Sequence, residues 1–91
     1  MSDKMPTIFY VNATSLAKTG AVALLHTEMV ACSADIAVIV ETWFNANIID
    51  SLAFIPGYQL FRRDRTRRRG GGIAIYVRDC FQCRFIPVVH T

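Results

Sequence analysis

A chain of 91 residues allows one small domain, and its core must be well made because a short chain buries only a modest share of its surface on folding. Hydrophobic residues make up 53 % and charged residues 19 %, a balance that excludes a disordered chain. The net charge of +3 is uneven: positions 62–69 hold six arginines against Asp64, a local +5, so the remainder stands at −2 and a broadly basic surface is excluded.

The first element is "TIFYVN", Thr7 to Asn12, whose β-branched and aromatic residues ending on a polar one predict a short buried strand. Thr14 or Ser15 is then placed to cap a helix. From Leu16 to about Cys32 the apolar residues Ala21, Leu24, Leu25, Met29 and Cys32 recur at three- and four-residue steps, which predicts an amphipathic helix weakened early by Gly20. "SAD" at 33–35 supplies a turn. The run "IAVIVE", Ile36 to Glu41, has no polar alternation and predicts a strand buried on both faces, as in a parallel sheet.

Strand, helix and strand make a βαβ unit, in which ligands gather at the carboxyl ends of the strands. Asn12 and Glu41 are the polar residues at those ends, and they fall side by side if the two strands are neighbours. After Glu41 the sequence predicts a loop, a short helix from Ile49 to Phe54, a Pro56-Gly57 turn and a strand from Tyr58 to Arg62. A second strand runs from Ile73 to Arg78. The arginine block and Gly70–Gly72 between them are far longer than a tight hairpin needs, so this loop is expected to project.

Several chemistries are disfavoured by the same residues. "RRRGGG" is followed by a strand and lacks Lys-Ser/Thr, so it does not meet the requirements of a nucleotide-phosphate loop, and its glycines are read as serving the start of the strand. Cys80 and Cys83 have zinc-knuckle spacing, but only the distant Cys32, His26 and His90 remain to complete four ligands. Neither histidine has a serine or cysteine partner at a recognisable spacing, and both are read as solvated. Three cysteines without a secretory signal predict reduced thiols and an intracellular location, and no apolar run approaches the roughly 20 residues of a membrane span. The Asn12-Ala13-Thr14 sequon matters only in a secreted chain.

Two features point to function. Arginine is the preferred bidentate partner of phosphate, so Arg62, Arg63, Arg65, Arg67, Arg68 and Arg69 are candidate nucleic-acid contacts, with a localisation signal or a solvated loop as the other readings. Glu41, at a sheet's carboxyl edge beside an asparagine, is placed either to cap its strand or to hold a hard divalent cation through oxygen.

The segments "VNATSL" at 11–16, "ADIAVIVETWFN" at 34–45, "IPGYQLFRRDR" at 55–65 and "RRGGGIAIYVRD" at 68–79 together resemble the opening of the endonuclease/exonuclease/phosphatase superfamily. The branch most similar is the apurinic-type endonuclease domain of non-LTR (LINE-like) retrotransposon polyproteins. That resemblance implies an α/β fold, the N-terminal part of a four-layer sandwich, here a strand-helix-strand unit followed by two further strands and incomplete. It implies residues 1–91 as a single partial domain truncated on its C-terminal side. Mg²⁺-dependent hydrolysis of DNA phosphodiesters would follow, with target-site nicking in retrotransposition, a nuclear location and a reverse transcriptase downstream.

Within the resemblance, Glu41 corresponds to the strand-end glutamate that binds the metal. Asn12 corresponds to the first-strand asparagine that orients the phosphate and the catalytic groups. Thr14 departs from the pattern, since repair members carry Asp there and the retrotransposon branch often carries Arg, and Ala34 stands where the family usually has Pro. The later motifs, a Tyr, an Asp/Asn pair and a terminal Asp and His, have no counterpart, so the 91 residues alone are expected to lack nuclease activity. A phosphatase or phosphodiesterase of the same fold and a non-catalytic basic module that binds nucleic acid are the rival readings.

Overall fold

The computed structural model describes residues 5–66, 70–84 and 86. In chain order the elements are strand β1 (Ile8–Asn12), helix α1 (Ala21–Ala31), strand β2 (Ile36–Val40), the single-turn helix α2 (Asp50–Ala53), strand β3 (Tyr58–Arg63) and strand β4 (Ile73–Arg78). The strands form one mixed sheet in the order β1-β2-β4-β3, with β1 and β2 parallel and β4 antiparallel to both its neighbours. The α/β class and the strand-helix-strand unit followed by two further strands are therefore as expected.

The register assigns the two faces. Phe9 and Val11 share a face with Ala37 and Ile39, with Ala74 and Tyr76, and with Tyr58 and Leu60. Against that face pack Leu25 and Met29 of α1 together with Leu16, Phe44, Ala53 and Ile55, and this cluster is the core. On the opposite face Ile8, Tyr10, Phe61 and Ile73 are all exposed. Strand β2 alternates between fully and partly buried residues rather than being buried on both faces.

Helix α1 begins five residues later than its apolar periodicity predicts. Ser15 and Leu16 donate their amides to Glu41 O and Thr42 O, at 2.8 and 2.7 Å, which ties this stretch to the sheet's edge, and Ser15 has a left-handed backbone at φ 86. Gly20 then starts the helix in the left-handed region at φ 82, and no side chain caps it. Of the predicted stripe only Leu25 and Met29 are buried; Leu24 and Cys32 face solvent.

Away from Glu41, the far pole is pinned by Asp35, which accepts from Thr7 N at 2.8 Å and from Arg78 Nε at 3.1 Å. Tyr58 Oη and Arg78 Nη2 both donate to Ala34 O. Cys80 and Cys83 lie exposed beyond the end of β4, outside any strand.

Tyr76 at the middle of the core is fully buried and donates its hydroxyl to Ala53 O at 2.8 Å, fastening α2 to the sheet. Burial raises its phenol from the ordinary 10 to about 12, with Arg62 opposing the shift. Between those two values the folded chain holds a proton that the unfolded chain has released. The stabilisation is therefore complete below pH 10 and is lost as pH rises through 12, about 2–3 kcal/mol for a shift of this size. Denaturant midpoints measured at pH 9 and pH 12 should show this fall, and Tyr76→Phe, though about 1 kcal/mol weaker at pH 9, should lack it.

Candidate functional site

Strands β1 and β2 end at the pole where β3 also ends and β4 begins, because β4 runs antiparallel to its neighbours. One edge of the sheet thus gathers Asn12, Glu41, Arg63 and the glycines preceding Ile73. Asn12 pairs in register with Val40, which puts Glu41 one residue beyond it on the neighbouring strand.

The backbone at this edge is unusual. Thr14, Ser15, Glu41 and Trp43 all have positive φ, and Gly70, Gly71 and Gly72 do too. Side-chain-bearing residues in the left-handed region cost of order 1–3 kcal/mol each and persist only where surrounding bonds impose them. Here those bonds are visible. On one side Ser15 N and Leu16 N donate to the carbonyls of residues 41 and 42; on the other, Thr42 N and Trp43 N donate to Gly72 O and Gly71 O at 3.4 and 2.9 Å. The Glu41–Trp43 segment is clamped between two strands of backbone.

Within the clamp the side chains separate by chemistry. Thr42 points inward, wholly buried, and its Oγ1 accepts from Phe44 N at 3.3 Å. Glu41 and Trp43 stay half-buried at the rim. The Glu41 carboxylate accepts at Oε1 from Trp43 Nε1 at 3.0 Å and from Gly71 N at 3.4 Å. Among the described residues nothing further bonds to Oε2.

Asn12 is exposed, and its Oδ1 accepts from both Thr14 N and Thr14 Oγ1 at 3.1 Å. Thr14 thereby orients the asparagine amide and leaves its Nδ2 without a hydrogen bond among the described residues. A basin of about 450 Å³ opens beside this edge, lined by Val40, Glu41, Arg63, Arg65, Gly71 and Gly72 among others. Two carboxylates, Glu41 and Asp64, and two guanidinium groups share this shallow, open basin, with Asp64 held by Arg62.

The six arginines grouped by sequence are separated by the fold. Arg62 lies on the core face of β3, opposite Ala74, its side chain 14 % exposed. It donates through Nε and Nη2 to the two oxygens of Asp64 at 3.2 and 2.6 Å, through Nη1 to Asp50 at 3.0 Å and through Nη2 to Asn45 O at 3.1 Å, and it sits 5.0 Å above the Phe44 ring. The hydrogen bond to Asp64 raises its pKa further above an already high value. This guanidinium is spoken for by the protein itself. Arg63 and Arg65 are exposed at the basin, and Arg67, Arg68 and Arg69 lie outside the described residues, as does His90.

As a cation site, the edge supplies among the described residues one carboxylate with an oxygen unengaged, that of Glu41. Asp64 has both oxygens occupied by Arg62, and among the described residues no group of three or more His, Cys, Asp or Glu side chains comes together. One carboxylate oxygen with room for water and phosphate does fit Mg²⁺, which is commonly bound through one or two carboxylates while keeping several waters. Trp43 and the Gly71 amide are the site residues that pattern reasoning missed, and Thr14, a departure from the family pattern, proves to orient Asn12. "ETW" and "GGG" were visible as motifs, but the left-handed backbone that joins them was not.

No family model matches the sequence, and no curated protein matches it. Solved structures do. An AP endonuclease from Archaeoglobus fulgidus matches with a TM-score of 0.64 at 19 % identity, over 80 % of this chain and 27 % of its own. An AP endonuclease from Leishmania major matches with a TM-score of 0.66 at 22 % identity, over 81 % of this chain and 24 % of its own. This chain therefore spans about a quarter of the length of those structures and has the fold of that part of them.

Proposed function

We propose that this chain contributes the Glu41 edge of a metal-dependent DNA endonuclease domain of the AP-endonuclease type, residues 1–91 being one part of that domain. The observation that carries the proposal is the Glu41 carboxylate, held at Oε1 by Trp43 and Gly71 with Oε2 unengaged among the described residues, in a basin it shares with Arg63 and Arg65. A bound Mg²⁺ would neutralise charge developing on a phosphodiester. The chain's own part is to bind and orient. Glu41 Oε2 offers the cation a ligand, the Asn12 amide N–H groups, aimed by Thr14, donate to a phosphate oxygen, and Arg63 and Arg65 hold the strand by its backbone charges.

Generating the attacking hydroxide and stabilising the leaving oxygen require a base and an acid. The second carboxylate of this basin, Asp64, is held by Arg62, so both functions are assigned to further parts of a longer domain, consistent with a match that covers about a quarter of its structural counterparts. The retrotransposon branch, with a reverse transcriptase in the same polyprotein and a nuclear location, is proposed on the "ETW" and "FRRDR" to "GGGIAIYV" segments. Among the described residues no helix is long and apolar enough to cross a membrane.

Mn²⁺ serves as the probe. Titrated into the chain, it is expected to broaden the backbone NMR resonances of Glu41, Gly71 and Gly72 selectively, and Glu41→Gln is expected to abolish that broadening. Persistence of the same pattern in Glu41→Gln would remove the basis of the reading. With Mg²⁺ the chain alone should leave supercoiled plasmid intact; nicking that disappears in Glu41→Ala would show that the missing functions are not missing.

A further inference from the structure

We propose that Trp43 is a positioning residue that fixes which oxygen of Glu41 is presented to a divalent cation; this rests on the reading of Glu41 as a cation ligand. A glutamate at a sheet edge has three rotatable bonds and two equivalent oxygens, so by itself it presents neither in particular. Here two donors converge on one of them. Trp43 Nε1 donates to Oε1 at 3.0 Å and Gly71 N donates to it at 3.4 Å, while among the described residues nothing engages Oε2.

Both donors are located independently of the carboxylate. The Trp43 backbone is tied to Gly71 O at 2.9 Å, and its indole lies against Gly70, where an added methyl group would stand 3.6 Å from Nε1. Gly71 N is held by the same pairing. Glu41 is therefore pulled onto a preset pair of N–H groups and does not place them. Left-handed backbone at both 41 and 43, with Thr42 buried between, is what sets the two side chains beside each other at the rim.

A purely structural tryptophan would need a partner for its N–H, and any carboxylate nearby would serve. The difference lies in what happens when a cation arrives. A ligand carboxylate oriented by a second hydrogen-bonding group typically loses about 10-fold or more in metal affinity when that group is removed. A tryptophan that only packs would leave the affinity unchanged.

Trp43 is the only tryptophan in the chain, so its indole N–H gives one resolved NMR signal and its fluorescence one source. In the wild-type chain that N–H resonance should move with Mg²⁺ concentration, in step with the Gly71 amide. Trp43→Phe, which keeps an aromatic ring and deletes the N–H, should weaken Mn²⁺ binding by about 10-fold with little change in thermal midpoint. Should Trp43→Phe fail to fold, the wild-type titration decides: an indole signal that stays still while Gly71 responds overturns the proposal. Equal Mn²⁺ affinity in wild type and a folded Trp43→Phe overturns it as well, and leaves the cation reading of Glu41 standing. No Mn²⁺ binding at Glu41 in the wild type overturns both.

Discussion

Gly72→Ala is expected to be the most damaging single-methyl substitution in the chain. Gly72 has φ 88, and a Cβ there would stand 2.6 Å from Thr42 Oγ1. That oxygen cannot retreat: Thr42 is wholly buried and its Oγ1 accepts from Phe44 N. Left-handed strain of about 1–2 kcal/mol and overpacking of about 1–3 kcal/mol therefore add, giving a loss of roughly 3–4 kcal/mol. For a small domain that is a large share of the total stability and lowers the melting temperature by roughly 15–25 °C.

The other glycines grade the effect. At Gly57, φ is 88 and nothing lies within 4 Å of an added Cβ, so Gly57→Ala should cost the strain alone. At Gly71 the added methyl would meet Arg65 Nε at 2.5 Å, and the end of an exposed side chain can swing aside. Gly71→Ala should fall between the two. Thermal unfolding of the three variants checks the order. A double-mutant cycle of Gly72→Ala with Thr42→Ala should show favourable coupling, since removing Oγ1 relieves the clash and leaves only the strain. A Gly72→Ala variant as stable as Gly57→Ala would contradict the account.

Those glycines also mark where sequence reasoning stopped. The strands at Ile36–Val40 and Ile73–Arg78 were legible because each is an apolar run ended by a charged residue. Asn12 and Glu41 were reached by a topological rule, and β1 does lie beside β2 in parallel. The helix starts later than expected because apolar spacing does not register backbone conformation: Ser15 and Leu16 are tied to the Glu41–Thr42 segment, and Ser15 and Gly20 are both left-handed.

From the sequence the glycines serve strand geometry. Their carbonyls and one amide also build the clamp that turns Trp43 onto Glu41, a tertiary arrangement with no local periodicity. Arg62 is a different case, because the signal was there. Counting in twos from Tyr58 and Leu60 puts it on the inner face of β3, where a guanidinium must find partners within the protein.

That separation of Arg62 from its neighbours sets the second large effect. Arg62→Ala is expected to act on stability. It strips Asp64, whose side chain is 18 % exposed, of the two Arg62 donors on its carboxylate and removes the cation above Phe44. An exposed ion pair contributes about 0–1 kcal/mol, whereas breaking a buried one costs about 3–5 kcal/mol. Arg62 sits between these limits, so a loss of about 2 kcal/mol is expected by denaturant unfolding.

Arg63→Ala and Arg65→Ala should leave stability within about 0.5 kcal/mol, because both side chains are exposed. Their effect belongs to DNA. Each phosphate neutralised on duplex DNA contributes about −0.9 to the slope of log K against log salt, so the double variant should reduce that slope by nearly 2 units. Fluorescence anisotropy of a labelled duplex across a salt series measures this, and replacing Arg67, Arg68 and Arg69 together extends it to the rest of the loop. A slope that Arg62→Ala lowers as much as the Arg63/Arg65 pair does, at unchanged stability, would return Arg62 to the binding surface and undo the division. A slope that none of them changes would sink the proposed role of the loop in holding DNA.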